Sequence, residues 1–127
     1  MDISTNEILN KLEGYEFRKS VQKWIKQLKE TPYLSEILGY MMKRYFDVKV
    51  EERWVTIYKL LKETGIRGKE SFYRKSIPNL IELGVLDYKE VKITPYSQFR
   101  RYVKLNDDFI DNVIYGIASF KEKTEKI

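Results

Sequence analysis

The chain has 127 residues, the size of one domain, and carries a net charge of +5 from 24 Lys and Arg against 19 Asp and Glu. With 43% hydrophobic and 34% charged residues, its composition is typical of a folded globular protein and not of a disordered one. Cysteine and histidine are both absent, which excludes disulfides, thiolate chemistry, Ser-His-Asp and Cys-His hydrolases, and ordinary zinc sites.

The first 50 residues are predicted to form helices. The segment Ser4-Thr5-Asn6-Glu7 fits a capping box that starts the first helix, and Gly14 would end that helix. The second helix is predicted from an apolar stripe at 3.6-residue spacing. The stripe consists of Phe17, Val21, Trp24, Ile25 and Leu28. The rest of the surface of this helix is rich in lysine and is interpreted as a solvated face in preference to a DNA contact.

A third helix is predicted to start at Thr31-Pro32, with Thr31 as its N-cap and Pro32 at the first helical position. Its apolar face is formed by Leu34, Ile37, Leu38, Met41, Tyr45 and Phe46. The period breaks between Asp47 and Glu52, which predicts a loop there.

The next segment, residues 52–105, combines a short strand, two helices and a hairpin. Trp54-Val55-Thr56 predicts the strand, with Thr56 capping a helix that Gly65 ends. A second helix begins near Lys69 and is closed by Gly84. Its predicted inward face consists of Tyr73, Ile77, Leu80, Ile81 and Gly84. A hairpin is predicted next, from a β-rich stretch, a turn and a return strand. The stretch runs from Leu86 to Thr94, the turn is Pro95-Tyr96-Ser97-Gln98, and the return strand runs from Phe99 to Leu105, with Val103 and Leu105 inward.

This order of elements, carried by TIYKLLKETGIRGKESFYRKSIPNLIELGVLDY, resembles the helix-turn-helix of winged-helix DNA-binding regulators. The matching features are the turn glycine Gly65, the apolar turn residue Ile66, and the ending Leu80-Ile81-Glu82-Leu83-Gly84-Val85-Leu86. The resemblance implies a mainly α fold with a small β-hairpin wing: a winged helix-turn-helix with extra N-terminal helices (1–50) and a C-terminal helix (106–127), in one domain. The resemblance does not extend to a more specific family of winged-helix proteins.

The resemblance also implies where DNA would bind, with the second helix of the motif as the recognition helix in the major groove and the wing on flanking backbone. On the helix, the predicted contacts are Lys69, Ser71, Phe72, Arg74, Lys75 and Asn79. On the hairpin they are Lys92, Arg100 and Arg101, with Lys89 and Lys104 as further basic residues. Arginine suits guanine, asparagine suits adenine, and lysine suits phosphate.

The uneven distribution of charge agrees with this interpretation. Residues 43–104 contain 15 Lys and Arg but 8 Asp and Glu, whereas residues 1–42 contain six of each. Residues 105–127 contain three basic and five acidic residues. The excess positive charge therefore lies in the segment that resembles the winged helix, as phosphate contacts require.

Pro78 departs from the pattern, because a proline inside a helix removes a hydrogen bond and restricts the residue before it. Two outcomes are open. The helix stops near Ser76 and a second piece starts at Pro78, which puts the role of Asn79 in doubt, or a kink is tolerated because the outer face is wet.

The C-terminal segment predicts a further helix, capped by Asn106 or Asp107. Its broad apolar arc consists of Phe109, Ile110, Val113, Ile114, Ile117 and Phe120. The arc is either simple core or, the favoured interpretation, a homodimer face. Residues 121–126 are expected to be a polar, frayed tail.

Several aromatic residues flank the predicted wing: Tyr88, Tyr96, Phe99 and Tyr102. They can stack on unpaired bases, as in single-strand binders. Packing within the core and across the hairpin is the stronger interpretation for most of them.

The expected function is sequence-specific binding of double-stranded DNA by a transcriptional regulator, with no enzymatic activity, cofactor, metal or small-molecule ligand. A winged-helix protein-interaction module and a replication or partition factor are the alternatives. A metal-dependent enzyme would have to rely on Asp107, Asp108 and Asp111, which are better explained as acidic groups at a helix N-terminus. No run of ~18 apolar residues and no signal peptide is found, so a cytoplasmic location is expected. The Lys-, Glu-, Ile- and Tyr-rich composition fits a thermophile, such as an archaeon or one of its viruses or plasmids.

Overall fold

The computed structural model describes residues 3–13, 19–93 and 98–115 of the chain. The predictions for Gly14, Phe17, the turn residues 95–97, Ile117, Phe120 and the tail lie outside these residues, and the Val21 side chain is not described either. The N-terminal part forms three helices: α1 (Thr5–Glu13), α2 (Lys19–Lys29) and α3 (Leu34–Asp47). A single 3₁₀ turn, Val50–Glu52, follows within the predicted loop.

The start of α1 is confirmed and the predicted start of α3 is wrong. The Glu7 amide donates to Ser4 Oγ at 3.2 Å, and the Ser4 amide donates back to the Glu7 carboxylate at 3.4 Å, which is a capping box. Thr31 does not cap α3, because the chain makes a turn through Tyr33, which has φ of 59°, and the helix begins at Leu34. The Thr31 hydroxyl instead donates to the Gln27 carbonyl at 3.1 Å, near the end of α2.

The helix that follows the first strand begins and ends as predicted. Strand β1 (Val55–Thr56) leads directly into α4 (Ile57–Thr64). The Thr56 side chain accepts a hydrogen bond from the Lys59 amide at 3.1 Å, as an N-cap does. Gly65 then adopts φ of 71°, a left-handed conformation that glycine accepts at little cost and that stops the helix.

The second helix of the motif is one continuous run of helical backbone over residues 69–82, here called the composite helix. It consists of α5 (Lys69–Ser71), a π-helical segment (Phe72–Ser76) and α6 (Ile77–Glu82). Of the two outcomes that Pro78 left open, the structure therefore has the continuous helix and not the stop near Ser76. Ile77, expected to leave helical angles, keeps φ of −66° and ψ of −50°.

The π-helical segment explains how the composite helix tolerates its proline. Within it, the Ile77 amide bonds the carbonyl of Phe72, five residues back, so the hydrogen-bond register changes just before Pro78. Pro78 is the second residue of α6, directly after this change, so the amide that proline lacks falls at the junction of two hydrogen-bond registers. Its ring is exposed, in agreement with the prediction of a wet outer face.

A three-stranded antiparallel sheet completes the fold. Strands β2 (Leu86–Ile93) and β3 (Gln98–Leu105) form a hairpin, and β1 pairs with β3, so the strand order is β1-β3-β2. Val103 and Leu105 are buried as predicted, in the same core as Phe72, Ile77 and Leu80 of the composite helix. The structure is thus mainly helical with a small sheet that includes a hairpin.

The C-terminal segment starts with α7 (Asp107–Phe109), which continues as a π-helical segment (Ile110–Ile114). Asn106 is its cap, since its side chain accepts from the Phe109 amide at 3.0 Å. Phe109, Ile110 and Ile114 are buried within the chain itself. A homodimer through the terminal helices stays a prediction, and it would have to use other residues of the arc. Every helix among the described residues is too short or too polar to span a membrane.

A hydrogen bond joins α3 to the C-terminal segment. The hydroxyl of Tyr45, a buried residue, donates to the Asp107 carboxylate at 2.8 Å. The Arg53 guanidinium covers the Tyr45 ring at 3.8 Å from its centroid. Burial and the bond to Asp107 raise the pKa of Tyr45 to about 12. The same bond holds the pKa of Asp107 below its ordinary value.

We expect Tyr45→Phe to lower the free energy of unfolding by about 1 kcal/mol near neutral pH, because one hydrogen bond is lost. Since the Tyr45 pKa is raised in the folded state, its contribution is complete below the ordinary tyrosine pKa and is lost as pH rises through about 12. The Asp107 contribution has the opposite sense and is lost as pH falls through its lowered pKa. Urea denaturation at a series of pH values measures the pH dependence of both contributions to the free energy of unfolding. Tyr58→Phe, at an exposed ring, is the control, and equal stability of the two variants would refute the assignment.

Candidate nucleic-acid interface

The back of the composite helix is attached to the corner between α2 and α3 by side-chain hydrogen bonds. Ser76 Oγ, fully buried, donates to the Pro32 carbonyl at 2.6 Å. Asn79 Nδ2 donates to the Gln27 carbonyl at 3.0 Å and also to the Thr31 hydroxyl. These bonds fix the orientation of the composite helix relative to the N-terminal helices.

A further bond lies beyond the end of α6. The indole Nε1 of Trp24, on α2, donates to the carbonyl of Leu83 at 2.8 Å. Trp24 was predicted as part of the α2 apolar stripe, and it is half-buried there. Its polar atom gives it a second role, because it ties α2 to the segment that leads into β2.

Two predicted contact residues are not on the outer face of the composite helix. Phe72, expected at its flank, has no exposed surface, and its ring packs edge-on to Tyr73 with centroids 5.2 Å apart. Asn79, expected to point outward, is half-buried and uses its amide nitrogen on the α2–α3 corner. The wide π-helical segment accounts for the first error, since it brings Phe72 into line with Ile77 on the buried side.

The outer face of the composite helix carries exposed cations. Lys69, Arg74 and Lys75 are exposed, and Ser71 is half-buried at their edge. The Arg74 guanidinium is 3.2 Å from the Glu70 carboxylate, and both side chains are 78% exposed. Exposed ion pairs of this kind contribute little, about 0–1 kcal/mol. Arg74 can therefore exchange this carboxylate for another anion.

The hairpin places more cations beside the helix. Lys92, Arg100 and Arg101 are all exposed. Arg101 lies opposite Glu90 in the strand register, with its Nε 3.9 Å from the carboxylate. Because side chains alternate along a strand, Lys92, paired with Phe99, shares the face of Arg101, and Arg100 points to the other face.

The other two basic hairpin residues are engaged elsewhere. Lys104 is largely buried, with 13% of its side chain exposed, and it pairs with Asp87 at 3.1 Å and Asp107 at 3.4 Å. The Lys89 ammonium lies 4.2 Å from the centroid of the Trp54 ring. Lys104 is therefore poorly placed for phosphate, whereas Lys89 is exposed and contacts an aromatic ring.

We name the exposed cations of helix and hairpin the basic face. It consists of Lys69, Arg74, Lys75, Lys92 and Arg101. Lys89 and Arg100 are exposed too, but they are left out because they point to the other face of the hairpin. Four exposed acidic residues lie among or beside them, namely Glu30, Glu70, Glu82 and Glu90. The net charge of the surface is positive, and each arginine that has an acidic neighbour holds it only through an exposed contact.

A groove runs between the composite helix and the hairpin. One part, of about 440 Å³, is lined by Thr56, Ile57, Tyr58, Tyr73, Phe99, Arg100 and Arg101. We name this part the hairpin groove. A neighbouring part of about 410 Å³ shares Ile57, Tyr73 and Arg101 and extends past Ile77 and Ile81 to Tyr88. Two lining residues of the hairpin groove, Tyr58 and Tyr73, were not among the predicted site residues. A signal for Tyr58 was present in the sequence, because it falls between Ile57 and Leu60 of the α4 apolar face, where an outward side chain is expected.

The carboxylates considered for a metal site do not come together. Among the described residues, no group of three Asp and Glu side chains is arranged to hold an ion. Asp107 instead accepts from Tyr45 and pairs with Lys104.

Comparison of the chain with protein-family models, curated proteins and solved structures finds no match.

Proposed function

We propose that the protein is a winged helix-turn-helix that binds double-stranded DNA in a sequence-specific way and regulates transcription. The order of elements supports this proposal: a helix, a short strand, two helices separated by a glycine turn, and a hairpin whose second strand pairs with the first strand. In a winged helix the second helix of the turn enters the major groove and the hairpin contacts the flanking backbone.

The single observation that carries the proposal is the basic face itself. Its cations come from the composite helix and from the hairpin, and Tyr73 of the helix and Arg101 of the hairpin line the same groove. A helix fits the major groove when one side packs on the core and the other is polar. Phe72, Ile77 and Leu80 are buried on one side, whereas Arg74 and Lys75 are exposed on the other.

The chemistry of these residues assigns their roles in the proposal. Arg74 would read guanine through its two parallel donors, and Lys75 would bind phosphate or guanine. Lys69, at the start of the composite helix, and Lys92 and Arg101, on the hairpin, would bind phosphates. Asn79 has no role in base reading here, because its amide is used on the α2–α3 corner.

We expect the double substitution Arg74→Ala and Lys75→Ala to weaken binding to duplex DNA by roughly 10- to 100-fold, since it removes one base contact of about 1–3 kcal/mol and one phosphate contact that releases a counterion. Fluorescence anisotropy with duplex DNA over a salt series measures the effect. For the wild type, log affinity should fall steeply with log salt, and the variant should have a slope smaller by about 1–2.

The matched control is Lys43→Ala with Lys49→Ala, which removes the same charge at two exposed positions outside the basic face. It should bind nearly as the wild type does. If control and test variants lose the same affinity, binding depends on net charge alone and the composite helix is not the reading element. If the wild type does not bind DNA at low salt, the proposal fails, and a protein-interaction module on the same fold becomes the function to test by pull-down.

The proposed regulator is expected to act as a homodimer, which would recognise a palindromic site with half-sites about 10 base pairs apart, or a multiple. Footprinting decides this point, since a single short asymmetric site would contradict the dimer while leaving the DNA contact of the basic face in place.

A further inference from the structure

The hairpin groove contains two large aromatic side chains that the fold does not bury. Phe99 is 57% exposed and Tyr58 is 59% exposed, and both line the same cavity of about 440 Å³. Packing across the hairpin does not explain Phe99, because its cross-strand neighbour is the exposed Lys92. The two rings offer flat apolar surfaces at the edge of the basic face.

The charges around these rings favour an anionic occupant. Arg101 lines the hairpin groove on the same face of the hairpin as Phe99, and the Lys62 ammonium lies 5.3 Å from the centroid of the Tyr58 ring. Among the described residues that line it, none is acidic. A ligand that combines a flat aromatic group with a negative charge matches both properties, and a nucleotide has that chemistry.

We propose that the hairpin groove binds an unpaired nucleotide of DNA next to the duplex that the composite helix occupies. The base stacks on Phe99 or Tyr58, and its phosphate pairs with Arg101, which lies on the same face of the hairpin as Phe99. A volume of about 440 Å³ lies within the range of roughly 300–1,000 Å³ of pockets that hold small organic molecules, so one nucleotide fits. The inference rests on the proposed DNA-binding function and adds a preference for a junction between duplex and single strand.

The test compares three fluorescent DNAs of one sequence: a blunt duplex, the same duplex with a short single-stranded overhang at either end, and the single strand alone. Stacking of one base changes affinity by roughly 5- to 100-fold. We expect the wild type to prefer an overhang duplex to the blunt duplex by a factor in this range. With 2-aminopurine at the first unpaired position, binding should also quench its fluorescence, which reports stacking directly.

Phe99→Ala and Tyr58→Ala are the test variants, and Phe99→Trp should retain the preference because it keeps a ring. Tyr115→Ala is the matched control, since Tyr115 is 44% exposed but lies outside the groove. Phe99→Ala should reduce overhang binding to the level of the blunt duplex and change blunt-duplex binding by less than about 2-fold, because its ring contacts no base in paired DNA.

The outcomes separate the two proposals. If the wild type binds blunt and overhang duplexes equally, the junction inference is overturned and the proposed function stands. If an overhang preference survives in both alanine variants, the unpaired nucleotide lies elsewhere and the assignment of the hairpin groove is overturned. If no DNA binds at low salt, the proposed function itself fails.

Discussion

Phe72→Ala is expected to lower the free energy of unfolding by about 3–5 kcal/mol, the usual effect of removing a buried phenylalanine. The ring has no exposed surface and sits in the core that the composite helix shares with the sheet and the N-terminal helices. Its loss removes buried apolar surface and leaves a cavity that the neighbours fill only in part. Because the free energy of unfolding of small domains is about 5–15 kcal/mol, this loss would remove a large part of it.

Chemical denaturation followed by circular dichroism measures this effect. Phe72→Leu keeps most of the apolar surface and should have a smaller effect, roughly 1–2 kcal/mol. Phe99→Ala makes the same substitution at an exposed ring and should remain within about 0.5 kcal/mol of the wild type. If Phe72→Ala were as mild as Phe99→Ala, Phe72 would be a surface residue, as the sequence had predicted, and the placement of the π-helical segment would be wrong.

The second large effect concerns Asn79. We expect Asn79→Asp to lower the free energy of unfolding by about 1–3 kcal/mol near neutral pH, because it replaces a donor with a carboxylate beside the Gln27 carbonyl. That carbonyl belongs to the last turns of α2, where the helix dipole also disfavours negative charge. The Thr31 hydroxyl can rotate to donate to the new group, which limits the loss.

The pH dependence identifies the cause. Protonation of the introduced carboxylate is favoured in the folded state, so its pKa would be raised on folding, and the lost stability should be regained as pH falls from this raised pKa to the ordinary pKa of aspartate. Asn79→Ala should show a comparable loss without recovery at low pH. Asn112→Asp, at an exposed position of the C-terminal segment, is the charge-matched control. A loss for Asn79→Asp no larger than that of Asn112→Asp would mean that the bonds to the α2–α3 corner do not hold the composite helix.

Local signals in the sequence predict much of the fold. The Thr56 cap, the Gly65 stop and the Asn106 cap each depend on residues within one helical turn, and the structure confirms all three. The alternation that places Val103 and Leu105 inward is also local, because the face of a strand is set by its neighbours. Such features are determined before the chain makes any distant contact.

The errors arise where distant partners decide the outcome. Thr31 has the residue type and position of an N-cap, but its hydroxyl bonds back to α2 while the chain turns through Tyr33. Asn79 lies at an outward position of a regular helix, but it bonds to residues 48 and 52 positions away. Phe72 is misplaced because a 3.6-residue period cannot anticipate a π-helical turn. The cations of the candidate site are therefore predictable from the sequence, whereas the direction in which the neighbouring side chains point is not.

The bonds between the composite helix and the α2–α3 corner also bear on how small a working fragment can be made. A fragment that starts at residue 52 would keep the motif that resembles a winged helix, but it would lose the carbonyl groups of Gln27 and Pro32 and the Trp24 indole. Ser76, buried in the intact chain, would then face solvent without its acceptor. The contacts that hold the composite helix thus extend upstream of the motif to α2, so a fragment defined by the motif alone is expected to lose the residues that orient it.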